Sequence, residues 1–124
     1  MLTEKFHDVL KNEGVVAIVS WGMDEPHVIC SWNSYLVVTS DERILIPAAL
    51  MHKTEKNVIH NSKIKLALGS RNVTGYKDYK GTGFVIEGDA KFLTAGPDYN
   101  MMKEKYPFLT RVLEISVKSA TQKI

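Results

Sequence analysis

One cysteine, Cys30, in a chain of 124 residues rules out an intramolecular disulfide, and the lone thiol is expected to be a small buried hydrophobe in a reducing compartment. No apolar run approaches the roughly 20 residues that a membrane-spanning helix needs. The opening MLTEKFHDVL interleaves acidic, basic and apolar residues and shows no secretory leader, so the expectation is a soluble cytoplasmic protein with no membrane contact. Excess charge is also lacking. Sixteen basic residues against 14 acidic ones leave a net charge of +2, too little for wholesale binding of nucleic acid backbone. The histidines His7, His27, His52 and His60 have neither paired-ligand spacing nor a cysteine partner, so no metal site is expected. Nor is there a glycine-flanked serine elbow or a glycine-rich dinucleotide fingerprint.

What is present is ordinary globular material: 44% hydrophobic and 24% charged residues in a length that suits a single domain, 1–124. Phe6, Val9 and Leu10 recur at helical spacing behind Thr3 as N-cap, with Gly14 placed to stop the helix. The β-branched runs Val15 to Trp21 and His27 to Trp32 flank the turn GMDEP and predict a hairpin. Tyr35 to Thr39 and Ile44 to Pro47 flank SDER and predict another, with Pro47 at the end of pairing or on an edge. A short helix capped by Thr54, with Val58 and Ile59 inward, is expected next, then a strand from Ile64 to Ser70 and a polar loop over 71–83. Phe84 to Thr94 reads as a long strand with a bulge or close backbone contact at Gly88. A helix with Pro97 in its first turn and a final strand from Val112 to Ala120 complete the pattern. Short strands without regular βαβ alternation point to an antiparallel barrel.

Two segments carry chemistry. At PAALMHKTEKN a strand runs straight into a helix start that bears His52, Lys53 and Thr54. Unpaired first-turn amides, the positive end of the helix dipole, the Lys53 charge and the Thr54 hydroxyl together suit a single phosphate. Charge-assisted hydrogen bonds contribute about 1.5 to 3 kcal/mol each, enough for a few of them to anchor a mononucleotide. An ordinary capped helix with a surface lysine is the alternative. The second segment is WNSYL, where Trp32 and Tyr35 stand beside Asn33 and Ser34, with Ser70 and Arg71 ending another strand. Rings beside small polar groups suit a flat ligand with a polar edge, such as isoalloxazine, although plain core aromatics would show the same residues. The stretch KGTGFVIE partly matches an RNA-recognition signature, but Thr82 and Glu87 occupy two of its three stacking positions, so no nucleic acid partner is expected.

The ordered set KNEGVVAIVS, PHVICSWNSYL, MHKTEKNV, LGSRNVTG, GTGFVIEGDAKF and VLEISVKSA resembles the small FMN-binding members of the flavin-binding split-barrel family, which includes pyridoxamine 5'-phosphate oxidase. The resemblance implies a mainly β, six-stranded antiparallel Greek-key split barrel with a few short helices, paired as a homodimer with FMN near the subunit interface. It implies phosphate contacts from Lys53 and Thr54, with His52 and Arg71 as further candidates. Asn33, Ser34, Tyr35, Pro47, Ala48, Ala49, Met51, Ser70, Thr82 and Gly83 would line the rest of the flavin, with Trp32 close by. Tyr106 and Phe108 stand as alternative aromatic neighbours. His52 occupies the place of an arginine in the oxidase members, and no arginine and histidine pair matches their substrate-binding groups, so pyridoxamine phosphate oxidation is not implied. The implied role is electron transfer to a redox partner. A flavin reductase or another FMN-dependent oxidoreductase on the same barrel is the alternative. Arg71, Lys77 and Lys80 are the only further cations expected near the flavin for a nicotinamide nucleotide.

Overall fold

Thr3 begins the first element as the sequence requires: its hydroxyl accepts from the Phe6 amide at 3.3 Å, and α1 spans Glu4–Leu10. The structure, a computed structural model, describes residues 1–124. Helix α1 ends at Lys11 in right-handed geometry, so Gly14 does not stop it. Gly14 is instead a point of close approach, because a Cβ there would sit 2.5 Å from the Gly69 carbonyl and 2.9 Å from Asn33 Nδ2.

Strands β1 (Val15–Trp21) and β2 (Pro26–Trp32) form the expected hairpin, in register from Val15 opposite Trp32 to Trp21 opposite Pro26. The second hairpin is mostly lost. Asn33–Tyr35 tightens into a 3₁₀ turn because the Asn33 side chain turns inward, donating to the carbonyls of Asn12 at 2.9 Å and Gly69 at 3.0 Å, and only Val37–Val38 remain as β3 beside β4 (Arg43–Ala48). Pro47 lies inside β4, opposite Val112, but beyond the reach of β3, so its missing N–H faces an open edge.

Helix α2 covers His52–His60 and starts two residues before the expected cap, since Met51 turns left-handed at φ 72° and Thr54 falls inside the first turn. Val58 is buried but Ile59 is 74% exposed, as a helix that turns 100° per residue requires of neighbours on a single sheet-facing stripe. Strand β5 runs Lys63–Thr74, past its expected end, because pairing resumes at Thr74 opposite Lys80 after an irregularity, and the loop before β6 (Lys80–Leu93) is correspondingly short. The expected break at Gly88 is present: the β6 register shifts there, and a Cβ would collide with the Ser116 carbonyl of β7 (Arg111–Gln122). Helix α3 is Pro97–Lys105 with the proline in its first turn.

All pairing is antiparallel and gives one sheet in the order β2-β1-β5-β6-β7-β4-β3, with seven strands rather than six. The extra strand is the two-residue remnant β3. Strands β1 and β4 are well separated in that order, yet Val16, Ile18, Ile44 and Ile46 share one core cluster with Leu66, Ile86 and Ile115, so the sheet wraps around its core. Phe6 and Val9 of α1 and Val58 of α2 fill the same cluster. Leu45, Met102, Leu109 and Val112 form a smaller one beneath α3.

Strand alternation sets the other face of the β2 and β1 ribbon outward. Val28, Cys30 and Trp32 project there with Val15 and Ala17, and all but Ala17 are exposed. Cys30 is thus an exposed thiol, not the expected buried one, because period two aligns it with Val28 and Trp32 rather than with buried Ser31.

Candidate functional site

The outward β ribbon and the end of β4 enclose an apolar cavity of about 440 Å³. Five of the residues expected around the flavin line it: Trp32, Tyr35, Pro47, Ala49 and Met51. Val15, Ile29, Cys30, Ser31 and Leu50 complete the wall and were not anticipated. Strand spacing could have found Cys30, which is two residues from Trp32, and Val15, which lies opposite Trp32 in the hairpin. Trp32 is 47% exposed, so it is a wall open to solvent and not a core aromatic.

Beyond Met51 the chain enters α2 with its polar groups unanswered. The first helical bond runs from the Glu55 amide to the Met51 carbonyl at 2.9 Å, which leaves the amides of His52, Lys53 and Thr54 without a backbone acceptor. Arg111 enforces this. Its guanidinium takes the Leu50 carbonyl at 2.6 and 3.1 Å, away from the helix, approaches Glu55 at 3.3 Å and His52 Nδ1 at 3.4 Å, and stacks over Phe92 at 5.2 Å. A guanidinium only donates, so Nδ1 is the acceptor in that contact. Arg111 is a buried cation under the helix start, far along the chain from Met51, and no local pattern marks it. The Thr54 hydroxyl is buried in a residue 1% exposed and has no hydrogen-bond partner. Free amides, an unpartnered hydroxyl, Lys53 and a supporting guanidinium give this helix start the chemistry that suits an anion.

The remaining expected residues divide into two groups. Asn33 is fully buried and acts as a bolt between α1 and β5, Ala48 is buried with its carbonyl taken by the Thr110 amide at 2.9 Å, and Gly83 is buried within β6. Ser70, Arg71 and Thr82 line a separate hollow of about 390 Å³ with Glu13, Gly14 and Tyr79. Ser34 links the two regions. Its hydroxyl donates to Glu13 at 2.7 Å and its amide at 3.1 Å, and these bonds lower the Glu13 pKa below the ordinary carboxylate value. Its carbonyl accepts from the Tyr106 hydroxyl at 2.9 Å. Of the two alternative aromatics, Tyr106 and Phe108 both pack on Tyr35, at ring-centre distances of 5.3 and 5.6 Å, and burial raises the Tyr106 pKa.

On this wrapped antiparallel sheet an apolar, aromatic-walled cavity ends at Met51, the residue before a helix start whose chemistry suits an anion, an arrangement that suits a flat ring carrying a phosphate. The family model for pyridoxamine 5'-phosphate oxidase matches residues 2–123, and the chain belongs to that family. The chain is 46% identical over 122 residues to the FMN-binding protein of Nitratidesulfovibrio vulgaris (strain DSM 19637 / Miyazaki F), covering 98% of each. Solved structures of similar fold include HupZ of Group A Streptococcus, with TM-score 0.80 and 18% identity over 98% of this chain and 94% of that one. An FMN-binding protein from Syntrophomonas wolfei gives TM-score 0.75 at 16% identity over 99% and 86%.

Proposed function

We propose that this chain is an FMN-binding flavoprotein on a split barrel, working as a homodimer in electron transfer. The observation that carries the reading is the junction at Met51, where the apolar cavity meets the unpartnered first turn of α2 and the orphaned Thr54 hydroxyl. The 46% identical relative, named as an FMN-binding protein, supports the same ligand. Lys53, Thr54 and the free amides would hold the phosphate; Trp32, Tyr35, Pro47 and Met51 would bound the ring and keep water from it. Bound FMN supplies one- and two-electron redox chemistry, and the protein sets its potential through packing and hydrogen bonds. Ser70, Arg71 and Thr82 lie outside the cavity within one chain, as expected if two copies complete the site.

The apolar ribbon supports the dimer. Val15, Val28, Cys30 and Trp32 are exposed on one face, and β2 is a sheet edge paired only with β1. Such a face and edge call for cover. Sedimentation at micromolar concentration should give twice the 14.0 kDa chain mass, and a monomer with bound flavin would contradict the pairing.

The test of the cofactor is direct. The protein should purify yellow with one noncovalent FMN per chain and prefer FMN to riboflavin. Replacing Lys53 by Ala should weaken FMN by about 1.5 to 3 kcal/mol while leaving riboflavin little changed. Equal affinity for the two flavins would remove the phosphate site. A reductase reading has one observation in its favour, that Lys53 and Lys56 share a cleft. Stopped-flow mixing separates the two: a carrier is reduced quickly by dithionite and slowly by NADH or NADPH, whereas saturable nucleotide reduction at roughly tens per second, within the usual enzyme range, would establish the reductase.

A further inference from the structure

The largest cavity is not the one beside Trp32. Between α2 and the β1–β2 turn lies a cleft of about 690 Å³, within the range that small ligands occupy. Its helix wall carries Lys53, Lys56 and His60, and its turn wall carries Asp24 and Glu25, with the Trp21 indole between strand and turn. None of Lys53, Lys56, Asp24 and Glu25 makes an ion pair within the chain, so charge of each sign faces the same space unanswered. Asn57 adds a further open group. It is 7% exposed, its Nδ2 donates to Ser20 Oγ at 3.1 Å, and its Oδ1 accepts nothing from the chain; a Cβ at Gly22, another lining residue, would lie 3.4 Å from that oxygen.

We propose that this cleft binds an aminopurine nucleotide, with its phosphates on Lys56 and His60, its ring against Trp21, and its exocyclic amine donating to Asp24, Glu25 or Asn57 Oδ1. The two walls select this class. The lysines call for an anion, the indole for an aromatic ring, and three acceptor side chains for a ligand that donates hydrogen bonds away from its charged end. An acidic peptide satisfies the lysines but meets repulsion at Asp24 and Glu25. A flavin phosphate offers a single donor at its ring end, N3–H, flanked by two carbonyls that would face the Asp24 and Glu25 carboxylates. The inference stands apart from the FMN reading, since it uses none of the Trp32 cavity and meets the phosphate site only at its border, where His52 and Lys53 line the cleft.

Isothermal titration of the purified protein, with its flavin in place, would use ADP and GDP as ligands and IDP, which lacks the exocyclic amine, as comparator. ADP or GDP should bind saturably below millimolar concentration, IDP should bind at least threefold more weakly, and Lys56→Ala should weaken the better nucleotide about tenfold with flavin absorbance unchanged. Which of ADP and GDP binds better identifies the purine. Absence of saturable binding, equal binding of IDP, or affinity unaffected by Lys56→Ala would overturn the proposal. Release of flavin as nucleotide is added would also overturn it, by showing the cleft to be part of the flavin site. Flavin content is read from the visible spectrum and nucleotide binding from heat, so failure of either reading is seen separately. Lys56 is exposed on a helix surface, and its loss leaves the fold intact.

Discussion

Around Arg43 every charge is answered inside the chain, whereas around Met51 the polar groups are left waiting. Arg43 bonds Glu114 at 2.6 Å, Asp98 at 2.7 Å and Asp41 at 3.0 Å, tying β4 to β7 and to the first turn of α3, and Lys91 closes on Glu114 from outside at 3.6 Å. These bonds, that to Asp41 foremost, raise the Arg43 pKa above its ordinary value. At the start of α2 only part of the set is answered: Arg111 pairs with Glu55 at 3.3 Å and holds the Leu50 carbonyl, while three amides lack a backbone acceptor and Thr54 buries a hydroxyl with no partner. A folded chain leaves such groups open at a cost, and that cost is ordinarily borne where a ligand completes the set. The contrast separates a corner that stabilises the fold from the corner that we propose holds the phosphate.

Removing the centre of the satisfied corner should have the largest effect. Arg43→Met leaves Glu114, which is 7% exposed, with only the distant Lys91, and strands Asp98 as well. An uncompensated carboxylate at that depth costs about 3 kcal/mol, and the melting temperature should fall by roughly 10 °C. FMN affinity should be unchanged once the protein is folded. A loss of flavin in proportion to the loss of stability would show that the two corners are not independent.

The opposite sign is expected at the open corner. Thr54→Val replaces an unpartnered buried hydroxyl by a methyl group of the same shape, so the flavin-free protein should keep its stability or gain up to about 1 kcal/mol, while FMN should bind roughly tenfold more weakly. Thermal melts with and without FMN measure both effects in one preparation. A variant destabilised without ligand and unaltered in FMN affinity would make Thr54 a structural residue and end the contrast.

What the sequence disclosed follows the range of the forces involved. Thr3, Pro97 and Gly88 were legible because caps, first-turn prolines and bulges are set by residues a few positions apart. The expectation of an anion at Lys53 and Thr54 rests on the same short range, a lysine and a threonine just after a strand. Arg111 was not, because its partners Leu50 and Glu55 lie far away in the chain. Nor was Glu13, whose bond to Ser34 spans 21 residues. The expected strand from Tyr35 failed for a related reason: Asn33 gains more by bonding to Asn12 and Gly69, both distant in sequence, than the local β-propensity of the run supplies. Cys30 and Ile59 were misplaced since composition says what a residue prefers, and only the register of a strand or the phase of a helix says where it points.

Asp41 provides the finest probe of the satisfied corner. The Arg43 side chain, aided by the Thr39 hydroxyl at 2.6 Å, lowers its pKa from an ordinary 3.8 to about 2. Because the folded value lies below the unfolded one, the carboxylate contributes stability that is fully present above the unfolded value of 3.8 and is lost as pH falls through about 2. Asp41 is exposed, so solvent screens the pair and its contribution is smaller than the effects at Arg43 and Thr54. Asp41→Asn should therefore lower the melting temperature slightly at pH 7, and the gap to the parent should largely close by about pH 2, as the parent's carboxylate takes up its proton. Added salt at pH 7 should narrow the same gap, whereas the Arg43→Met deficit, set by a buried partner, should persist. A gap that stays constant as the pH is lowered through this range would mean that the Asp41 side chain acts through the geometry of its turn, and that the charge of the Arg43 corner resides in Asp98 and Glu114 alone.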